Sequence, residues 1–209
     1  MPSLETNVEE LLKLFPREMN NLRVVSPINM EKELKIVYFQ SDTDDPLRNW
    51  EALDNWIGKV FEGGKFIPLP DDVAEIYHSN FSPIDEELIS PEDKLLLRVN
   101  LSQPKYFGEL RESVVNLDWI NRHPDPELRG IGEEFYQNLL GFLKDKGYRF
   151  IMATSVSEEL ENYWVKLGQV PVDYLKPEKA AQLGVHDPML PLHVHFLYAA
   201  DKPVFMKPV

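Results

Sequence analysis

The residues with the most chemical content for their length are Arg129-Gly130-Ile131-Gly132. Two glycines flank a single Ile, and Ile131, Phe135, Leu139, Phe142 and Leu143 then follow at helical spacing. Gly147 falls where a C-cap would end that helix. Upstream, Val114–Arg122 reads as a strand and runs into the polar stretch Asn121-Arg122-His123-Pro124-Asp125. Strand, tight turn, helix is an order that offers unbonded backbone N–H groups and the positive end of a helix dipole to an anion. A ligand-free strand-to-helix turn uses the same two glycines, so they do not decide alone. His193 and His195 lie two apart on a strand-like segment and share a face, which suits a metal or substrate contact, but no third ligand accompanies them. His123 stands just before the glycine turn as a candidate phosphate or substrate contact. Ser155, Ser157 and the histidines form no recognisable nucleophile arrangement, and no Gly-x-Ser-x-Gly is present. With no cysteine, thiolate nucleophiles, thiolate metal sites and disulfides are excluded.

Downstream, Tyr148–Thr154 reads as a strand, followed by Glu161-Asn162-Tyr163-Trp164-Val165-Lys166-Leu167-Gly168. This pair of segments resembles the Gcn5-related (GNAT) family of acyl-CoA N-acyltransferases. That family carries Arg/Gln-x-x-Gly-x-Gly/Ala before a helix, then a strand, then a short helix ending Tyr-x-Lys-Leu-Gly-Phe. The matching segments here are Glu127–Gly132 and Trp164–Gln169, and the resemblance spans Val114 to Gln169. Glu127 stands where Arg or Gln is usual, Trp164 where the family often has its proton-donating tyrosine, and Gln169 where it has an aromatic.

The resemblance implies acetyl-CoA or another acyl-CoA as cosubstrate and direct attack of an amine on the thioester. The pyrophosphate would rest on the N–H groups of Arg129, Gly130, Ile131, Gly132 and Glu133, beside Leu128, with the Arg129 side chain adding a charge-assisted bond. The pantetheine arm would pair like an extra strand with the backbone of Ile120, Asn121 and Arg122. The amine needs a proton acceptor, for which Asp118 comes first and Glu112 or Glu109 next. The leaving thiolate needs a donor, for which Tyr163 is adjacent to the family's position, with Tyr136 and bound water as alternatives. No metal is implied. Two other readings stay open: a non-catalytic acyl-CoA-binding or interaction module on the same scaffold, and a transferase of longer acyl chains with the aromatic-rich helices between residues 47 and 81 lining a wider pocket.

The elements that must position these groups follow from pattern. Thr6-Asn7-Val8-Glu9 reads as a capping box for a short helix with Val8, Leu11, Leu12 and Phe15 on one face, stopped by Pro16. Strands are expected at Leu22–Ser26, Glu33–Gln40, Lys94–Leu101, Phe107–Glu112, Val114–Arg122, Val170–Leu175 and Leu192–Ala200. The first two of the central trio, 94–101 and 107–112, are expected to form a hairpin across Ser102–Lys105. Helices are expected after Asp45, over Asp71–Phe81, from Gly132 to Gly147, and after Ser157; the tail Asp201–Val209 reads as surface. On Val114–Arg122, alternation puts Val115, Leu117 and Trp119 on one face and Asn116, Asp118, Ile120 and Arg122 on the other. The expected fold class is α/β: a single N-acyltransferase-like domain over 1–209, with a central mixed, mostly antiparallel sheet flanked by helices. Residues 1–30 form an extra N-terminal helical extension, and 114–169 the cofactor-binding region.

Composition bounds the rest. The chain has 209 residues, 43% hydrophobic and 27% charged, ordinary for a soluble globular domain. No apolar run is long enough to cross a membrane, and the N-terminus lacks a basic-then-apolar leader, so a cytoplasmic protein without a membrane partner is expected. A net charge of -13 argues against nucleic acid and suits a cationic acceptor, either a small-molecule amine or a peptide amine. A homodimer is compatible with these features.

Overall fold

One helix and the strand before it organise the sheet. Helix α2 (Ile131–Asp145) buries Ile131, Gly132, Phe135, Tyr136, Leu139 and Leu143 along one stripe. It returns the chain from β5 (Val114–Arg122) to its parallel neighbour β6 (Phe150–Thr154). Such a crossover needs a helix of this length to bring the second strand back alongside the first. The computed structural model describes residues 2–25, 29–30, 33–41, 93–104, 108–122, 125–155, 157–185 and 191–208. The two helices expected between residues 45 and 81, the loop expected through residue 92, and His123 lie outside the described residues.

The remaining strands are β1 (Leu22–Val25), β2 (Asn29–Met30), β3 (Glu33–Ser41), β4 (Asp93–Ser102), β7 (Val170–Pro171) and β8 (Leu192–Phe196). The sheet runs β1-β3-β4-β5-β6-β8-β7, with β2 also on β3. Every pairing is antiparallel except β5 with β6. This is the mixed, mostly antiparallel α/β sheet that the sequence implies.

The sheet has a core on each face. On one, Val115, Leu117, Ile151 and Ala153 meet Phe135, Leu139 and Leu143 of α2 and Leu11 and Leu14 of α1 (Val8–Leu14). On the other, Val114, Phe150, Met152 and Val194 meet Val172, Leu175, Leu183 and Phe205. Alternate residues of β6 thus serve opposite cores, which is why Phe150–Ala153 is apolar without a break. Each large side chain buried in this way contributes about 1.5–3 kcal/mol.

Several expectations are corrected. No hairpin joins β4 to residues 107–112. Among the described residues that stretch is a turn and a 3-10 segment (Arg111–Ser113), and β4 pairs with β5 directly. Gly108 explains the turn: a Cβ there would lie 2.4 Å from the Gln182 carbonyl oxygen and 2.5 Å from the Gly184 nitrogen. The Leu110 N–H donates to that same carbonyl at 2.9 Å, so the segment is spent on packing against the end of α4 (Pro177–Gln182). The strand expected over Val170–Leu175 is only β7 followed by a 3-10 turn (Val172–Tyr174) that sends Val172 and Leu175 into the core. The tail is exposed over most of its length, but α5 (Lys202–Phe205) anchors it by burying Phe205 against Phe150, ring centroids 5.0 Å apart. At α1 the cap is Asn7, whose side chain accepts from the Glu10 N–H at 3.0 Å, while the Thr6 hydroxyl donates to Glu10 Oε2 at 2.8 Å. The buried stripe shifts with it: Val8 is 56% exposed, and Leu14 takes its place.

Candidate functional site

The site is built where β5 and β6 part. They pair over only three residues, Val114–Asn116 against Phe150–Met152. β5 then continues for six residues to Arg122, still bonded to β4 on its other side. Among the described residues no strand pairs with the β6-facing edge of β5 beyond Asn116. The edge therefore carries backbone groups able to bond an extended ligand. Ile120, Asn121 and Arg122 lie along it.

Within this stretch β5 carries a bulge. Trp119 stands opposite Asn100 and Leu117 opposite Leu101, so Asp118 is the extra residue. A bulge shifts the side-chain alternation by one. Ile120 accordingly packs on the same core as Val115 and Leu117, not on the opposite face as simple alternation requires. Asp118 is left exposed, with one carboxylate oxygen accepting from Asn100 Nδ2 at 3.2 Å; Asn100 itself is buried.

The glycine turn adjoins the same end of β5. Asp125 accepts from the Glu127 N–H at 2.8 Å and opens a 3-10 turn, Pro126–Leu128. Gly130 then caps α2 at φ +87°, a conformation that L side chains rarely adopt. Of the five amides expected to hold an anion, two are already used: Arg129 N–H donates to the Pro126 carbonyl and Glu133 N–H to the Gly130 carbonyl. The amides of Gly130, Ile131 and Gly132 have no hydrogen-bond acceptor among the described residues. The anion-binding group is thus three amides at the helix N-terminus. The side chains of Leu128 and Ile131 are buried in the core, and Arg129 is exposed.

Tyr163 lies on α3 (Glu158–Lys166), which Ser157 caps by accepting from the Leu160 N–H. Its hydroxyl stands 3.6 Å from where a Gly132 Cβ would be, at the mouth of the amide cluster. Burial, reinforced by the Glu133 carboxylate, pushes the Tyr163 phenol up to about 12, with Arg122 opposing. Its proton is therefore held throughout the neutral range. Trp164 faces the other way, into the core, with its indole N–H donating to the Thr154 carbonyl at 3.2 Å. Tyr136 is fully buried, its hydroxyl accepting from Gln169 Nε2 at 3.0 Å, and burial holds its phenol well above its ordinary value. Neither aromatic reaches the amides as Tyr163 does.

The structure does not bring Glu109 and Glu112 to this place. Both lie before β5, in the turn held by α4. About 13 Å of strand separates Val114 from Asp118. His193 and His195 are also elsewhere. The His193 Nδ1 is 3.3 Å from Ser155 Oγ, both residues buried, and the His195 ring packs edge-on to Tyr136. Burial pushes both imidazoles below the ordinary value. Among the described residues no group of three metal-ligating side chains occurs.

Sequence reasoning did not single out Arg17 or Asn100. The Arg17 guanidinium donates to the Glu127 carbonyl (2.7 Å), the Arg129 carbonyl (2.8 Å) and both oxygens of Glu134 (2.7 and 3.1 Å). More than a hundred residues separate it from the turn, so no local pattern marks it. A buried amide within a hydrophobic strand was the available sign for Asn100.

No family model and no curated protein matches the chain. Solved structures of similar fold include Tetrahymena GCN5, at 9% identity over 77% of this chain and 94% of that one, with a TM-score of 0.43. They also include yncA from Salmonella typhimurium with its cofactor acetyl-CoA, at 12% identity over 78% and 94%, TM-score 0.39. A third is the KacTA–DNA complex, at 10% identity over 84% and 74%, TM-score 0.42. The chain is thus similar in fold to Gcn5-related acetyltransferases. The last structure corrects the expectation that excludes nucleic acid: a chain with this kind of fold occurs in a complex with DNA. Net charge is a sum over the whole molecule and does not fix the partner of one face. No helix among the described residues is long and apolar enough to cross a membrane.

Proposed function

We propose that the chain is an acyl-CoA-dependent N-acyltransferase of one domain, acting in the cytoplasm and using acetyl-CoA. The observation that carries this reading is the parting of β5 from β6 beside three helix-terminal amides that have no acceptor among the described residues. A diphosphate is the group such amides suit, and an extended arm with alternating amide donors and acceptors suits the open edge of Ile120–Arg122. In this arrangement Asp118 takes the proton from the attacking amine, directly or through one water. The Tyr163 hydroxyl gives its proton to the departing sulfur as the carbon–sulfur bond breaks and the carbon–nitrogen bond forms. Arg129, exposed at the turn, adds charge near the diphosphate.

Titration calorimetry with acetyl-CoA tests the reading, followed by thiol release across a panel of amines. Binding with turnover supports it, and no binding removes it. One observation favours a second reading, a non-catalytic acyl-CoA-binding module: Trp164, at the position of the family's tyrosine, has its N–H tied to Thr154 and its ring in the core. Binding without thiol release from any amine selects that module. Competition between short- and long-chain acyl-CoAs decides the chain length, since the segment 47–81 that would line a wider pocket lies outside the described residues.

A further inference from the structure

We propose that Arg17 is a positioning residue for the anion-binding turn, so that the N-terminal segment is part of the cofactor site. This rests on the acyl-CoA reading above.

The geometry is specific. Two of the four hydrogen bonds from Arg17 go to successive odd carbonyls of the turn, Glu127 and Arg129, and two to the Glu134 carboxylate. All described peptide bonds are trans. In a trans peptide the C=O and N–H point in opposite directions. Drawing the Arg129 carbonyl to Arg17 therefore turns the Gly130 N–H away from the guanidinium, toward the ligand side. The planar fork can hold both carbonyls and the carboxylate at once, which a lysine cannot.

The second effect is electrostatic. The first turn of α2 carries Glu133 and Glu134, two carboxylates beside amides meant for a diphosphate. Lys166 Nζ pairs with Glu133 at 2.8 Å and Arg17 with Glu134 at 2.7 Å. Each cation offsets a charge that would repel the ligand. Arg17 is held in place because α1 is pinned at its end: Tyr38 donates to the Leu11 carbonyl at 2.6 Å and Asn138 to the Leu14 carbonyl at 3.0 Å.

The test compares CoA with pantetheine, which lacks the diphosphate, on the full chain. Arg17→Met is expected to raise the Kd for CoA at least about tenfold while leaving that for pantetheine in place. Amide exchange at Glu133 and Glu134, both bonded to the Gly130 carbonyl, is expected to quicken. Arg17→Lys is expected to fall between wild type and Arg17→Met, and is read alone if Arg17→Met does not fold. Glu134→Gln, which keeps both carbonyls of the clamp, is expected to weaken CoA less than Arg17→Met. An unchanged Kd for CoA, equal losses for CoA and pantetheine, or equal losses in Glu134→Gln and Arg17→Met would overturn the proposal. If wild type binds neither compound, the acyl-CoA reading fails; unchanged exchange in Arg17→Met then also overturns the clamp, and faster exchange upholds it.

Discussion

At the residue scale the informative contrast is between two neighbours. Tyr163 and Trp164 differ by one step along α3, about 100° of rotation. That step sends the indole into the core and the phenol to the N-terminus of α2. Tyr163→Phe is therefore expected to lower kcat about a hundredfold with little change in KM for acetyl-CoA. Trp164→Tyr on that background is expected not to restore it, because its ring would point into the core. Steady-state kinetics of the single and double variants check both. With the Tyr163 proton held to about 12, wild-type kcat should show no alkaline decline as pH passes the phenol's ordinary value of 10.0.

Elements show what a sequence can and cannot disclose. Helix α2 was legible because its apolar stripe, opening glycines and closing Gly147 agree with one another. So was the strand Val114–Arg122, and with it the place of the turn between them. Residues 107–112 misled because six residues holding only two large apolar side chains, Phe107 and Leu110, fix no period, while the reason residues 108–112 are not a strand lies across the molecule at α4. Gly108→Ala tests that reason: its Cβ would strike backbone atoms of residues 182–184, which cannot yield as a flexible side chain can. A loss of about 3 kcal/mol is expected in urea unfolding. The bulge at Asp118 was equally hidden, since alternation by two predicts faces but not where a strand gains a residue. The three usable amides were visible only as five candidates. The Arg129 amide is spent by the 3-10 turn that Asp125 nucleates, and the Glu133 amide by the first turn of α2.

For the whole molecule, the buried His193 and the half-buried His195 have a consequence that is separate from the proposed chemistry. His193 and His195 of β8 face the core shared with α2, and loss of hydration favours their neutral forms. Their folded-state affinity for a proton is thus below that of the unfolded chain, whose imidazoles titrate near 6.5. Below that pH the unfolded state binds more protons, so folding stability falls as pH falls, until the folded-state values are passed. The Glu134 and Glu10 carboxylates have the opposite dependence on their surroundings but the same sense in pH. Bonds from Arg17 and Lys146 hold them below the ordinary 4.5, and their contribution is lost only in stronger acid. Two acid regions are therefore expected, separated by the gap between imidazole and carboxylate titration. In urea unfolding from pH 8 to pH 3, the wild-type free energy should fall below pH 6.5 with a slope of at most about 1.4 kcal/mol per pH unit for each proton taken up. His193→Gln combined with His195→Gln should remove that slope while leaving the loss below 4.5. A slope that survives the double substitution would mean that the imidazoles keep water in the folded state, and that the core between β8 and α2 is more open than their burial implies.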